Sequence, residues 1–166
     1  MSQPTLYITV SPPGHGKSFV SEQLAAQTEA AHVMADEIRK YVVVDSGNPT
    51  YSKEESQQTY GTLMQAAEHI LTGGRDVVLD ATFGLQEGRD EAAEVAQKRG
   101  ASLSIVRVKC EEEIAKQRIR GRDNLSDAGV EYYDSFILEE PDREVTEIDN
   151  SGSKKNTIRE IERKLL

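Results

Sequence analysis

Apolar runs alternate with amphipathic stretches along the whole chain. Leu6-Tyr7-Ile8-Thr9-Val10 reads as a buried strand that ends at a Pro/Gly-rich loop. A helix follows from about Lys17 to Gln27, and His32-Val33-Met34-Ala35 is a short second strand. Asp36 then sits where an N-cap would, ahead of Glu37-Ile38-Arg39-Lys40-Tyr41. After a loop marked by Gly47-Asn48-Pro49, Lys53 to Leu71 is a long helical stretch closed by Gly73-Gly74. Asp76 to Asp80 is a third strand, Gln86 to Arg99 a helix stopped by Gly100, and Leu103 to Val108 a fourth strand. Two helices, Glu111 to Arg122 and Asp127 to Leu138, precede a fifth strand at Val145 to Ile148. Thr157 to Leu166 closes the chain as a helix. Alternating strand and helix predict a parallel sheet covered by helices on both faces. There is no internal repeat, low-complexity tract or linker, so residues 1–166 read as one domain.

Composition adds constraints. The hydrophobic fraction is 37% and the charged fraction 30%, as for a soluble globular protein. No apolar run approaches the roughly 20 residues needed to span a bilayer. The first residues carry no basic, signal-like segment, so a cytoplasmic location is expected. Cys110 is the single cysteine, which rules out an internal disulfide and a cysteine-based zinc site; it reads as a strand-end residue. The net charge of −9 argues against broad electrostatic coating of nucleic acid, though not against a short basic groove that grips one strand end.

Ser11-Pro12-Pro13-Gly14-His15-Gly16-Lys17-Ser18 falls between the first strand and the first helix. It follows the phosphate-binding pattern Gly-x-x-x-x-Gly-Lys-Ser/Thr except at its first position, where Ser11 stands. Glycines let backbone N–H groups turn inward to phosphate oxygens, and the helix that follows aims its positive dipole end at the same anion. Pro13, Gly14, His15, Gly16, Lys17, Ser18 and Phe19 are therefore the expected ATP-binding stretch. Lys17 would reach the β- and γ-phosphates, Ser18 would ligate Mg²⁺ through its hydroxyl, and His15 would contribute mainly its backbone N–H. The competing reading is an ordinary Gly/Pro turn before a helix. The apolar strand in front of the loop favours the nucleotide site.

Two carboxylates occupy strand ends, where sites form in open α/β sheets. Asp36, after the second strand, is placed to accept a hydroxyl proton, or else to cap a helix. Arg39, one turn on, is placed to hold an anionic group. Asp80, after the third strand, is like the aspartate that orients Mg²⁺ or its waters in such sites. Arg118 and Arg122 share a helix face, where arginines of a lid could neutralise charge on a transferring phosphoryl group, Arg122 being the first candidate. Arg89 reads equally as a phosphate contact or a surface residue. Asp149-Asn150-Ser151-Gly152 is either a turn against a nucleobase or a plain turn.

Taken in order, the loop, Ala35-Asp36-Glu37-Ile38-Arg39-Lys40, Leu79-Asp80-Ala81-Thr82-Phe83 and Arg118 to Arg122 resemble the polynucleotide-kinase-like P-loop kinases. The resemblance extends to Ile148-Asp149-Asn150-Ser151-Gly152. It implies a three-layer α/β/α fold with a five-stranded parallel sheet in the order 2-3-1-4-5 and a helical lid. It also implies transfer of the ATP γ-phosphate to a hydroxyl, most simply the 5′-hydroxyl end of DNA or RNA. In that scheme Asp36 is the general base, Arg39 grips substrate phosphate, Asp80 lies in the acceptor region and Arg122 contacts the ATP phosphates. Ser11 departs from the pattern, with an expected loss in ATP binding. Two alternatives stay open: a kinase of a small-molecule alcohol, and a nucleotide-binding module without turnover.

Overall fold

The computed structural model describes residues 2–42, 49–121 and 130–166. In chain order it has β1 (Thr5–Val10), α1 (Lys17–Thr28), β2 (Ala31–Met34), α2 (Ala35–Val42), α3 (Lys53–Thr72) and β3 (Val77–Asp80). Then come α4 (Gln86–Lys98), β4 (Ser102–Lys109), α5 (Glu112–Arg120), α6 (Val130–Ser135), β5 (Thr146–Asp149) and α7 (Lys154–Leu165). All strand pairs are parallel, in the order β2-β3-β1-β4-β5, which is the order the resemblance implies. With β1 central, the loop after it opens where the chain turns from one half of the sheet to the other, the usual position of a ligand crevice. No helix among the described residues is long and apolar enough to cross a membrane.

The two-residue period of a strand separates the core into two layers. Leu6, Ile8 and Val10 of β1 and Val77 and Leu79 of β3 face Leu63, Ala67 and Leu71 of α3 and Ala92 and Ala96 of α4. Tyr7 and Val78 face the other way, onto Val20 and Leu24 of α1 and Ile161 of α7. By the same alternation Thr9 and Asp80 belong to the α1 face.

Local signals explain where the structure departs from the pattern. Helix α2 begins at Ala35, so Asp36 lies inside its first turn rather than at its cap. Helix α7 begins at Lys154 because the Ser153 side chain accepts the Asn156 N–H, three residues before the start expected from apolar spacing. Helix α6 stops at Ser135, short of Leu138, because the chain there turns down onto the β3–α4 turn, where the Glu139 N–H donates to Gly84 O at 2.9 Å. Of the two lid candidates, Arg118 lies on α5, which ends at Arg120, whereas Arg122 lies outside the described residues.

Arg89 is fully buried, neither a surface residue nor open to a substrate phosphate. It donates to Phe83 O (2.7 Å), to Gln86 Oε1 (2.7 Å) and to Glu139 O (2.6 Å). It thus fastens the turn after Asp80 to the segment after α6. That turn carries strain, since Phe83 has φ 42° and is held by Tyr60, whose ring meets it edge-on at 5.3 Å. Arg89→Ala should therefore destabilise the fold by about 3 kcal/mol or more in urea unfolding. The exposed Arg143→Ala should stay within about 0.5 kcal/mol of wild type.

Candidate active site

The loop between β1 and α1 is shaped by two left-handed glycines, Gly14 at φ 77° and Gly16 at φ 82°. Neither has room for a side chain. A Cβ on Gly14 would lie 2.7 Å from Ala115 O of α5, and one on Gly16 would overlap the Asn150 side-chain amide. The N–H groups from Gly14 to Ser18 have no acceptor among the described residues. A run of unpaired N–H groups at a helix start fits the phosphates of a nucleotide. Ser11 does not disturb this arrangement. It is buried outside the left-handed region; its N–H donates to Thr82 O at 3.3 Å and its hydroxyl to Pro12 O at 2.7 Å. The first loop position thus needs no glycine here for its backbone angle.

The side chains of the loop point elsewhere. His15 Nδ1 lies 3.0 Å from Val108 O, which can only accept, so Nδ1 carries the proton and Nε2 accepts from the Tyr133 hydroxyl at 3.2 Å. Burial pushes the pKa of this ring down, and Arg118 and Arg107 add to the effect, so it is a neutral strut. Phe19 turns toward α7, where the Lys154 ammonium sits 5.3 Å from its ring centre. Pro13 is half-buried in the loop, and Ser18 is exposed at the start of α1. An exposed hydroxyl there is free to ligate Mg²⁺, an ion that generally takes one or two protein oxygens and completes its shell with phosphate and water.

Lys17 opens α1 and Asp80 closes β3 on the same face of the sheet, and Lys17 Nζ donates to Asp80 Oδ1. The second oxygen, Oδ2, takes His32 Nε2 at 3.3 Å. Burial works against charge on Asp80, but His32 and Lys17 outweigh it and hold the carboxyl below its usual range. The lysine of the Gly16-Lys17-Ser18 signature is thus paired with an ionised acid where the loop enters α1.

Directly after β2, α2 presents an exposed Asp36 and a buried Arg39. Arg39 Nη1 donates to Glu55 Oε1 of α3 at 2.9 Å, and its guanidinium lies 4.7 Å from the Tyr51 ring centre. Its Nε is buried with no partner among the described residues. Glu55 also accepts from the Thr50 N–H and hydroxyl and from the Tyr51 N–H. The Thr50 N–H foremost, then its hydroxyl and Arg39, overcome the opposing effect of burial and push the Glu55 carboxyl down to about 2.

Arg118 Nη2 donates to Asn150 O at 2.7 Å and Nη1 approaches Cys110 Sγ at 3.4 Å. Asn150 in turn donates from Nδ2 to His15 O at 2.8 Å and accepts from the Thr157 hydroxyl at 2.7 Å. The turn after β5 is therefore bolted to the phosphate loop. Burial raises the pKa of the half-buried Cys110 thiol, which keeps it in its unreactive form.

The structure brings Lys17, Ser18, Asp80 and Arg118 around one loop and sets Asp36 and Arg39 on the neighbouring helix. Sequence reasoning missed His32 and Glu55. His32 had a readable signal: it lies opposite Val78 in the sheet, and the two-residue period places it on the Asp80 side. Glu55 had another: Ser52-Lys53-Glu54-Glu55 is a capping-box pattern.

The profile of a family described as an AAA domain matches residues 6–135. No curated protein matches the chain significantly. Solved structures similar to it include a sugar kinase from Janibacter sp. at 15% identity, with a TM-score of 0.74 over 99% of this chain and 95% of that one. A gluconokinase from Sinorhizobium meliloti is 19% identical, with a TM-score of 0.70 over 96% and 90% of the two chains. The Mycobacterium tuberculosis APS kinase in complex with AMPPNP and APS is 14% identical, with a TM-score of 0.71 over 98% of each chain. At these identities the likeness is one of fold.

Two outcomes follow from the loop and its flank. By calorimetric titration with ATP, Ser11→Gly should change affinity by less than about threefold, while Gly16→Ala should weaken it more than about tenfold through backbone strain and collision with Asn150. The pH dependence of stability should expose Glu55. Its pKa is lower folded than unfolded, so its contribution is complete above the ordinary value of 4.5 and is lost as pH falls toward about 2. The stability gap between wild type and Glu55→Gln in urea should be wide at pH 7 and narrower at pH 3.

Proposed function

The chain belongs to the AAA domain family, and from that premise we propose that it is an ATP-dependent kinase that phosphorylates a hydroxyl on a small molecule. The observation that carries the reading is the pairing of Lys17 with ionised Asp80 beside an open cradle of backbone N–H groups. Asp36, exposed in the first turn of α2, is the proposed base, a group that a module binding nucleotide alone would not need. When bound, ATP supplies the phosphoryl group, with Mg²⁺ offsetting its charge. The chain's residues do the remaining work. The N–H groups of Gly14 to Ser18 and the Lys17 ammonium bind the phosphates, and the Ser18 hydroxyl, with Asp80, would hold the metal ion or its waters. Asp36 takes the proton of the acceptor hydroxyl as the hydroxyl oxygen bonds to the γ-phosphorus, the bond from that phosphorus to the β–γ bridging oxygen breaks, and ADP leaves with the electron pair. Arg118 steadies the turn against the loop, and Arg122 is the proposed lid contact to the phosphates.

A small acceptor is favoured over a polynucleotide end by the state of Arg39. Its charge is met by Glu55 and its face is covered by Tyr51. A phosphodiester would have to displace a carboxylate held by several donors. The acidic charge of −9 points the same way; structural neighbours described as kinases of a sugar, of gluconate and of APS favour a small acceptor, charged or neutral.

The test offers the purified protein Mg²⁺ and γ-labelled ATP with neutral sugars, sugar acids, nucleosides and 5′-hydroxyl oligonucleotides. Label should appear on a small molecule and fall at least about hundredfold in Lys17→Ala and Asp36→Asn. Label on the oligonucleotide alone would restore the polynucleotide reading. ATP binding without transfer to any acceptor would make the protein a binding module.

A further inference from the structure

One buried carboxylate at the end of β3 serves two donors. Asp80 Oδ1 accepts from Lys17 Nζ and Oδ2 accepts from His32 Nε2 at 3.3 Å. A carboxylate only accepts, so His32 carries its proton on Nε2. The Asp80 side chain is 1% exposed, whereas those of Lys17 and His32 are 18% and 21% exposed. Solvent therefore reaches both donors more readily than the acid they hold. The other polar side chain from β1 on this face, Thr9, is committed elsewhere, since its hydroxyl lies 3.0 Å from Ala81 O and 3.4 Å from Leu79 O. The Asp80 side chain thus rests on Lys17 and His32.

Lys17 must engage the nucleotide phosphates for the kinase reading above to hold, and this inference rests on that reading. When the ammonium turns to the phosphates, its hold on Oδ1 is shared or released, and His32 is the donor that remains. We propose that His32 is a positioning residue for phosphoryl transfer: it fixes Asp80 Oδ2 so that Oδ1 stays directed at Lys17 and the phosphate cradle through the cycle. The sheet makes this possible, because His32 pairs with Val78 in register and its side chain projects on the same face, one pleat before Asp80. Without His32, a buried carboxylate keeps one mobile partner and loses its fixed orientation. An imidazole that merely fills the edge of the sheet would have no such effect on the chemical step.

Two measurements decide it. In proton NMR of the whole protein, the His32 Nε2–H should be protected from solvent exchange both free and with Mg²⁺ and AMPPNP, and it should disappear in Asp80→Ala. Loss of that signal on adding the nucleotide analogue would overturn the proposal, because His32 would then leave Asp80 when it is needed. In steady-state kinetics with the acceptor found in the panel, His32→Ala should lower kcat about tenfold to hundredfold with the KM for ATP within about threefold. His32→Gln, whose amide N–H₂ can replace Nε2–H, should recover most of that loss. An unchanged kcat in His32→Ala, or no recovery in a folded His32→Gln, would also overturn it. If no acceptor takes phosphate, the kinase reading fails by itself and the proton measurement still decides whether His32 holds Asp80.

Discussion

Lys17 and Asp80 meet because two periodicities coincide. The two-residue repeat of β3 buries Val77 and Leu79 against α3 and α4 and so turns Val78 and Asp80 toward α1. The turn from β1 into α1, set by left-handed Gly14 and Gly16, brings Lys17 to the same face at the first helical position. Slipping β3 by one residue would send Asp80 into the apolar layer and leave Lys17 unpaired. The register of β1 against β3, Leu6 with Val77 through Ile8 with Leu79, is therefore part of the site.

The cradle is also clamped from its other side. Asn150, 5% exposed, spends all its polar groups on neighbours: its N–H on Lys109 O, its side-chain amide on His15 O, its side-chain oxygen on the Thr157 hydroxyl and its carbonyl on Arg118. His15 adds Val108 and Tyr133. These bonds come from β4, α5, α6 and α7, so the loop N–H groups are aimed by four elements. Preorganised donors of this kind do not reorganise when charge arrives, which is what stabilising a transferring phosphoryl group demands.

Much of this was legible in the chain itself. The apolar strand, the Gly16-Lys17-Ser18 signature and the helix after it are local, and local signals survive folding. The strand-end position of Asp80 followed from the apolar run before it, whereas Asp36 falls inside the first turn of α2. What stayed hidden depends on partners distant in sequence. Arg89 and Phe83 are six residues apart, but the burial of Arg89 also needs Glu139. Arg39 read as a free cation because nothing near it in sequence reveals Glu55, sixteen positions on. Ser11 read as a defect because the motif records a residue type, whereas the structure requires a backbone angle, and at that position the angle is one any residue can adopt.

On the proposed kinase reading, the burial of the Arg39–Glu55 pair would bear on which acceptor is taken. An exposed arginine would welcome any anion, at little consequence to the fold. Here both partners are more than nine-tenths buried, and Glu55 is held well below the usual carboxylate range by donors from Thr50, Tyr51 and Arg39. Drawing Arg39 to a substrate phosphate would strand a buried carboxylate among neutral donors, and breaking such a pair is strongly unfavourable. If Asp36 is the base proposed above, an uncharged hydroxyl compound approaching it would ask for no such exchange. The same residue type at the same position would favour opposite acceptors depending on whether Glu55 is there to answer it, so a motif that names Arg39 alone leaves the acceptor undetermined.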